Sequence, residues 1–586
     1  MAKICIDPVD GMLSVRDSYD VKDQCATAGC FWDSVSGSWK ITFTLRTFED
    51  LIDRIPEAEI GPEMEGLLVA QADREDRLSE IRAMAEKNED IDLHIPGLKK
   101  DPFPYQKLGI LYGVTNGRGL IIADVMGLGK TVQAIAIALS LKAEGRVRQC
   151  LVVTPASLKF NWPLEVEKFT GEKSVVVGDK NANADKRISQ WLDESAFFKI
   201  VNYELLDDLF CTRKGKVSLG KTKEERAASL AKAMQKTARQ AVLSKVREKV
   251  WDMIVFDEIH MIKHETSQRY RSVRSLLGKV KVGLTGTPMD GRLEELYAVC
   301  SAVAPGVLGS RTSFFGDHVV VGFDRKVKSY KNISDVKRKI APFFIRRLKK
   351  DVLPQLPDKI YENKIISLTS DEMRIYEDIK HGRHKAVKDA EAMVRAIRCK
   401  QFCNFPHLVD HRCRPASKLN VFLETLEEAV QSGGEKAIVF TQYRTMLDVI
   451  DKALADMGLR FLRIDGSTDK KLRADFQAEF NTNKKIDCII GTDAMSTGLN
   501  LTGASIVFNY DDNWQPAVMA QREDRAHRYG QTRGVTVMSF VCKDTIEEKI
   551  RGVLYAKDKI TSETLGDNAD EMDLKRFGND EMERLM

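Results

Sequence analysis

One stretch of this sequence restricts the fold more than any other. An apolar run, Gly119-Leu-Ile-Ile-Ala123, passes into Asp124-Val-Met-Gly-Leu-Gly-Lys-Thr131 and then into the helix-forming Val132-Gln-Ala-Ile-Ala-Ile-Ala-Leu139. Strand, glycine loop and helix in that order make a phosphate cradle. Gly127 and Gly129 let backbone N–H groups approach phosphate, and the helix start adds partial positive charge. Lys130 is expected to reach the β and γ phosphates of ATP and Thr131 to ligate Mg²⁺, with Asp124, Gly127, Leu128 and Gly129 lining the loop. Asp124 stands where the general pattern G-x-x-x-x-G-K-[ST] has its first glycine.

Further apolar runs follow: Cys150-Leu-Val-Val, Met253-Ile-Val-Phe and Val282-Gly-Leu, separated by helical stretches. Strands this apolar are buried on both faces, as in parallel sheets covered by helices. A second series begins near Lys436 with Ala437-Ile-Val-Phe, Cys488-Ile-Ile, Ser505-Ile-Val-Phe and Val535-Thr-Val-Met. Pro342, Pro354 and Pro357 mark a hinge region. The fold class is therefore α/β, with one lobe over residues 98–345 and another over 346–560. Trp251-Asp-Met-Ile-Val-Phe-Asp257-Glu258 places two acids at the end of a buried strand. Hydrolysis needs one carboxylate for a metal and one to activate water, so Asp257 is assigned to Mg²⁺ and Glu258 to the general base.

Residues 1–97 read as a small α+β accessory unit. Phe31-Trp32 and Trp39 flank a Ser-Gly-Ser turn, and Ile41, Phe43 and Leu45 alternate with Lys40, Thr42, Thr44 and Arg46. That is the period-two pattern of a half-buried strand. Thr47 is expected to cap a helix running to Ile55, and residues 72–88 to form a charged helix.

No apolar run approaches the roughly 18 residues of a membrane span. The opening MAKICIDPVDG has no apolar signal core, so a cytoplasmic setting with reduced cysteines is expected. The net charge of +5 is modest, but residues 211–250 hold twelve Lys or Arg against three Asp or Glu. They are expected to form a basic helical insertion, either a contact for a polyanion such as a nucleic acid or a solvated face. The tail 561–586 is acidic, with eight acids against three bases. Cys399, Cys403, His407 and His411 share a four-residue spacing that a metal could use, but Pro406 interrupts the helix and favours a structural segment.

Taken in order, the motifs resemble those of the SWI/SNF ATPases within helicase superfamily two. Asp124–Thr131 resembles their motif I and Asp257-Glu258-Ile-His260 motif II. Val153–Trp162, Ile200–Leu206 and Leu284–Pro288 resemble motifs Ia, Ib and III. Arg346–Pro357 resembles the segment joining the lobes. Phe440-Thr-Gln442, Asp465-Gly-Ser-Thr468, Gly491–Thr502 and Gln521–Gln531 resemble motifs IV, IVa, V and VI. Departures are Val125, Ile259, His264 and Ala494-Met-Ser-Thr-Gly498; none removes a catalytic group.

The resemblance implies two tandem RecA-like P-loop lobes and a DNA-stimulated ATP hydrolase that tracks along double-stranded or branched DNA. It implies that Gln106 reads adenine and that Arg525 and Arg528 act as arginine fingers beside Gln521, so that hydrolysis requires closure. Ser157, Lys159, Gln442, Ser467, Thr468, Thr492 and Trp514 fall in its DNA-facing motifs. The accessory unit resembles the substrate-recognition modules of annealing helicases (HARP-like proteins), a compact branch, and the chain's compactness suggests a bacterial or phage source. A strand-separating or annealing helicase, a motor subunit beside a nuclease or polymerase, and a non-catalytic scaffold are the alternatives. Intact Lys130, Asp257, Glu258, Arg525 and Arg528 argue against the scaffold.

Overall fold

The computed structural model describes residues 2–33, 36–87, 89–179, 182–210, 246–323, 326–496, 499–565 and 572–573. Most of the basic stretch 211–250 and most of the acidic tail lie outside these residues. The chain forms two units, one from Met1–Asp324 and Ser329–Leu348, the other around Lys349–Asp567.

The accessory region carries β1 (Lys3–Ile6), β2 (Leu13–Arg16), β3 (Phe31–Asp33), β4 (Ser38–Ile41) and β5 (Glu59–Ile60), in the order β3-β4-β2-β1-β5. Its helices are α1 (Lys22–Ala28), α2 (Leu45–Arg54) and α3 (Met64–Glu86). Two expectations are corrected. The alternating strand stops at Ile41, and α2 begins at Leu45 with Thr44 as its cap. The Thr44 hydroxyl accepts the Thr47 N–H at 3.0 Å while Thr47 Oγ1 accepts the Thr44 N–H at 2.9 Å. This reciprocal box outweighs the strand pattern at Phe43 and Leu45. Helix α3 also begins a full two turns before residue 72.

Lys40 is 3% exposed despite its polar place in the alternation. Asp7, Asp10 and Asp33 surround its Nζ at 2.8, 2.8 and 2.9 Å. A buried ammonium survives only with such compensation.

The first large sheet has seven strands: β6 (Gly119–Ile122), β7 (Cys150–Thr154), β8 (Ser174–Val176), β9 (Phe198–Asn202), β10 (Val250–Asp257), β11 (Leu277–Leu284) and, after short β12 (Val319–Val321) and β13 (Val327–Tyr330), β14 (Phe344–Ile345). Their order is β14-β6-β11-β10-β7-β9-β8. The pairs from β14 through β8 are parallel. Helices α4 (Pro104–Asn116) and α5 (Lys130–Ala143) bury Leu108, Ile110, Ile135, Ile137 and Leu139 in the same core as Leu120, Ile122, Val152 and Val255. This is the two-faced burial that the apolar runs demand.

The second unit holds a six-stranded parallel sheet of β15 (Lys359–Ile366), β16 (Ala437–Phe440), β17 (Phe461–Ile464), β18 (Cys488–Gly491), β19 (Ile506–Asn509) and β20 (Val535–Cys542). The order is β15-β20-β19-β16-β18-β17. Phe422, Phe508, Tyr510 and Phe540 pack edge to face in its core. Cys399, Cys403 and Cys413 are buried in an apolar cluster with Tyr376, Phe402 and Ile546. No described helix is long and apolar enough to cross a membrane.

Candidate functional site

Parallel register brings distant motifs together. Ile122 pairs with Leu284, Leu284 with Asp257, and Phe256 with Val153, so four strands end level. The loops after β6, β11, β10 and β7 therefore emerge side by side at the carboxyl edge, where open α/β sheets bind ligands.

The loop after β6 needs its glycines. Gly127 and Gly129 have φ of 87° and 72°, left-handed values that cost other residues strain. A Cβ at Gly129 would also stand 2.4 Å from Gln106 Nε2. Lys130 opens α5, and its Nζ donates to the Asp124 carbonyl at 2.8 Å. Gly286, from the loop after β11, lies close enough that a Cβ there would be 3.6 Å from Lys130 Nζ. Thr131 sits in the first turn of α5.

Gln106 is 5% exposed and braces this loop. Its Nε2 donates to the Leu128 carbonyl at 3.0 Å, and its Oε1 accepts the Phe103 N–H at 3.0 Å.

Asp257 closes β10. Its Oδ2 accepts from Thr154 Oγ1 at 2.9 Å and Trp162 Nε1 at 2.8 Å. Burial and the neighbouring Glu258 carboxylate push its pKa up to about 6, against the pull of those two donors. Glu258 holds φ 49° and ψ 51°, a left-handed conformation rare for a non-glycine residue. Such strain gathers at functional sites and persists only where the surroundings enforce it. The Met261 N–H donates to the Glu258 carbonyl at 3.0 Å across this turn, and the carboxylate is held in turn: Glu258 Oε2 lies 3.2 Å from His260 Nδ1, which is 3.1 Å from Thr285 Oγ1.

Sequence reading missed one residue of this site. Arg347, just past β14, grips Asp124 with Nε at 2.9 Å and Nη2 at 2.6 Å. Its Nη2 also reaches Gln133 Oε1 at 2.7 Å, and Nη1 donates to the Tyr105 carbonyl. Asp124 is wholly buried. Its cationic partner, 223 residues away, and the Gln133 amide compensate that burial. A buried acid in a phosphate loop was the available signal.

Of the residues expected to face DNA in the first unit, Ser157 is exposed after β7. Lys159 turns inward, its Nζ donating to the Gly178 carbonyl and Asn202 Oδ1 at 2.9 Å each. In the second unit Gln442, after β16, donates through Nε2 to the Asp512 carbonyl at 2.9 Å. Ser467 and Thr468 fold around Asp465, whose N–H donates to Thr468 Oγ1 at 3.0 Å. The Thr492 N–H donates to the Ile464 carbonyl at 3.2 Å. Trp514 is half-buried, with Lys400 Nζ 5.6 Å from its ring.

Gln521 lies in the helix Pro516–Glu523, and Arg525 and Arg528 come just after it. Arg525 Nε donates to the Gln521 carbonyl at 3.1 Å and Nη1 to the Leu499 carbonyl at 2.8 Å. Arg528 is half-buried. Arg522, which the motif reading passed over, is fully buried and holds Asp493 at 2.6 Å and the Asp511 carbonyl at 2.7 Å.

Comparison with known proteins places these motifs in context. The chain matches the SNF2-related domain over residues 77–416 and the helicase conserved C-terminal domain over 417–530. It is 31% identical to the putative ATP-dependent helicase/translocase YwqA of Bacillus subtilis, over 80% of this chain and 49% of that protein. It is 27% identical to the ISWI chromatin-remodeling complex ATPase ISW1 of Saccharomyces cerevisiae, over 76% of this chain and 39% of that one. The chain spans about half the length, or less, of the curated relatives it matches. The Sulfolobus solfataricus SWI2/SNF2 ATPase core in complex with dsDNA is 26% identical, with a TM-score of 0.38, covering 81% of this chain and 96% of that one.

Proposed function

Because this chain belongs to the SNF2-related family, we propose that it is an ATP hydrolase stimulated by DNA, which uses the hydrolysis to move along the duplex. The observation that carries the reading is the level carboxyl edge of the first sheet. It gathers the glycine loop with Lys130 and Thr131, the acids Asp257 and Glu258, and the strained turn that aims Glu258.

In this reading Lys130 binds the β and γ phosphates, the loop N–H groups at Gly127–Gly129 wrap them, and Gln106 reads adenine from beside Leu128. Glu258 accepts the proton of the attacking water, its carboxylate steered by His260. Oxygen ligands suit Mg²⁺. Thr131 and Asp257 would hold it; among the described residues no hydrogen bond engages Asp257 Oδ1. When bound, the ion neutralises charge on the phosphates. Arg525 and Arg528 are assigned to the transition-state charge, for which such arginines supply roughly 10³–10⁵ in rate.

Ser157, Ser467, Thr468 and Thr492 are assigned to backbone phosphate through their hydroxyls, which read no sequence. Duplex DNA of any sequence, branched forms included, is the proposed track, in a cytoplasmic setting. Movement is tested by displacement of a third strand from a triplex on linear duplex. ATP-dependent release, absent with a non-hydrolysable analogue, is expected; ATP turnover without release would remove translocation from the reading.

A further inference from the structure

The segment Arg347-Leu348-Lys349 carries one cation into the core of each unit. Arg347 belongs to the first. Beyond its paired bonds to Asp124, its carbonyl accepts the Val125 N–H at 3.2 Å, and the Ala123 N–H donates to the Ile345 carbonyl at 2.7 Å. The phosphate loop is thus stitched to this segment by backbone on both sides of Asp124. Gln133 of α5 completes the ring, donating to Asp124 Oδ2 at 3.0 Å while accepting from Arg347.

Lys349 belongs to the second unit and is 8% exposed. Its Nζ donates to Asp524 Oδ1 at 2.7 Å and to the His527 carbonyl. Both acceptors lie in the motif that carries Arg525 and Arg528. Lys359 of β15 reinforces the same motif, at 2.8 Å from Glu523 and 3.0 Å from Asp524.

We propose that Arg347 and Lys349 are positioning residues for ATP hydrolysis: Arg347 sets the phosphate loop through Asp124, and Lys349 sets the finger-bearing segment through Asp524 and the His527 carbonyl. The proposal rests on the ATPase reading above. Both cations bond protein groups, Arg347 the Asp124 carboxylate and Lys349 the Asp524 carboxylate and the His527 carbonyl, so each acts through the segment it holds.

Lys349 also gives the proposal a pH signature. Burial pushes its pKa down to about 8, with Lys359 and Arg528 pushing the same way and Asp524 opposing. The ammonium is therefore present below pH 8 and lost as pH rises through it. His527 faces the same cluster, its Nε2 on the Pro357 carbonyl at 2.7 Å. Its pKa lies below the usual histidine range through burial, so it stays neutral across this alkaline window.

Two measurements test the two halves. In the first, binding of a fluorescent ADP is titrated for Arg347→Ala, Asp124→Asn and the double variant, with folding checked by circular dichroism. Arg347→Ala leaves the buried Asp124 carboxylate without its cation and with only the Gln133 amide among these partners, and affinity should drop roughly tenfold or more. Removing that charge in the double variant should restore part of the loss. Unchanged affinity in folded Arg347→Ala, or additive losses, overturns the loop half. This arm needs no turnover, so it stands even if the ATPase reading fails.

In the second, ATP turnover is followed from pH 7 to 9.5 for the wild type, Lys349→Arg and Lys349→Met. The wild type should lose kcat above pH 8 with KM little changed. Lys349→Arg, which stays charged, should keep kcat to higher pH. Lys349→Met should be low and flat throughout. An alkaline limb that is the same in all three overturns the finger half.

Discussion

At the residue scale the candidate site rests on two adjacent acids in unlike settings. Glu258 is strained and partly exposed, whereas Asp257 is buried and tied by Trp162 and Thr154. Glu258→Gln keeps the shape and removes the base, so ATP turnover should drop by roughly 10²–10⁴ with nucleotide binding retained. Steady-state turnover beside fluorescent-nucleotide binding checks both halves of that statement. Burial and Glu258 raise the Asp257 pKa to about 6, so its carboxylate predominates above that value and is lost as pH falls through it. Nucleotide affinity in the presence of Mg²⁺ should weaken on the acid side accordingly. Trp162→Phe deletes a bond that favours the carboxylate, so the weakening should begin at higher pH. A limb that moves to lower pH, measured by the same titration, would contradict this.

At the element scale, local spacing made the phosphate loop legible. Glycines, lysine and threonine sit within eight residues of one another, between an apolar strand and a helix. The loop's support was not legible, because its parts are contributed by remote segments. Arg347 reaches Asp124 across 223 residues, and Thr154 reaches Asp257 across 103. The accessory region shows the opposite failure. Phe43 and Leu45 follow a clean strand alternation, yet the Thr44–Thr47 box turns the chain into α2. Capping hydrogen bonds are specific and the alternation is only permissive. Gly129 tests the loop as an element. Gly129→Ala forces a side chain into a left-handed position and against Gln106. It should cost nucleotide affinity far more than global stability, which thermal melts with and without ADP would separate.

At the scale of the whole molecule, the two parallel sheets were readable from two series of apolar runs, since strands buried on both faces have no polar alternation to confuse. Their strand orders were not readable, because neighbours such as β6 and β11 are separated by most of a lobe. The motifs resembling those of DNA-dependent motors are distributed over both units, Lys130 and Glu258 on one, Arg525 and Arg528 on the other. A chain organised in this way is expected to hydrolyse ATP slowly alone and faster on its track. The direct measurement is ATP turnover without DNA, with duplex and with single strand, beside Glu258→Gln. Strong stimulation by duplex that vanishes in Glu258→Gln is the predicted result; turnover that no DNA changes would contradict the account.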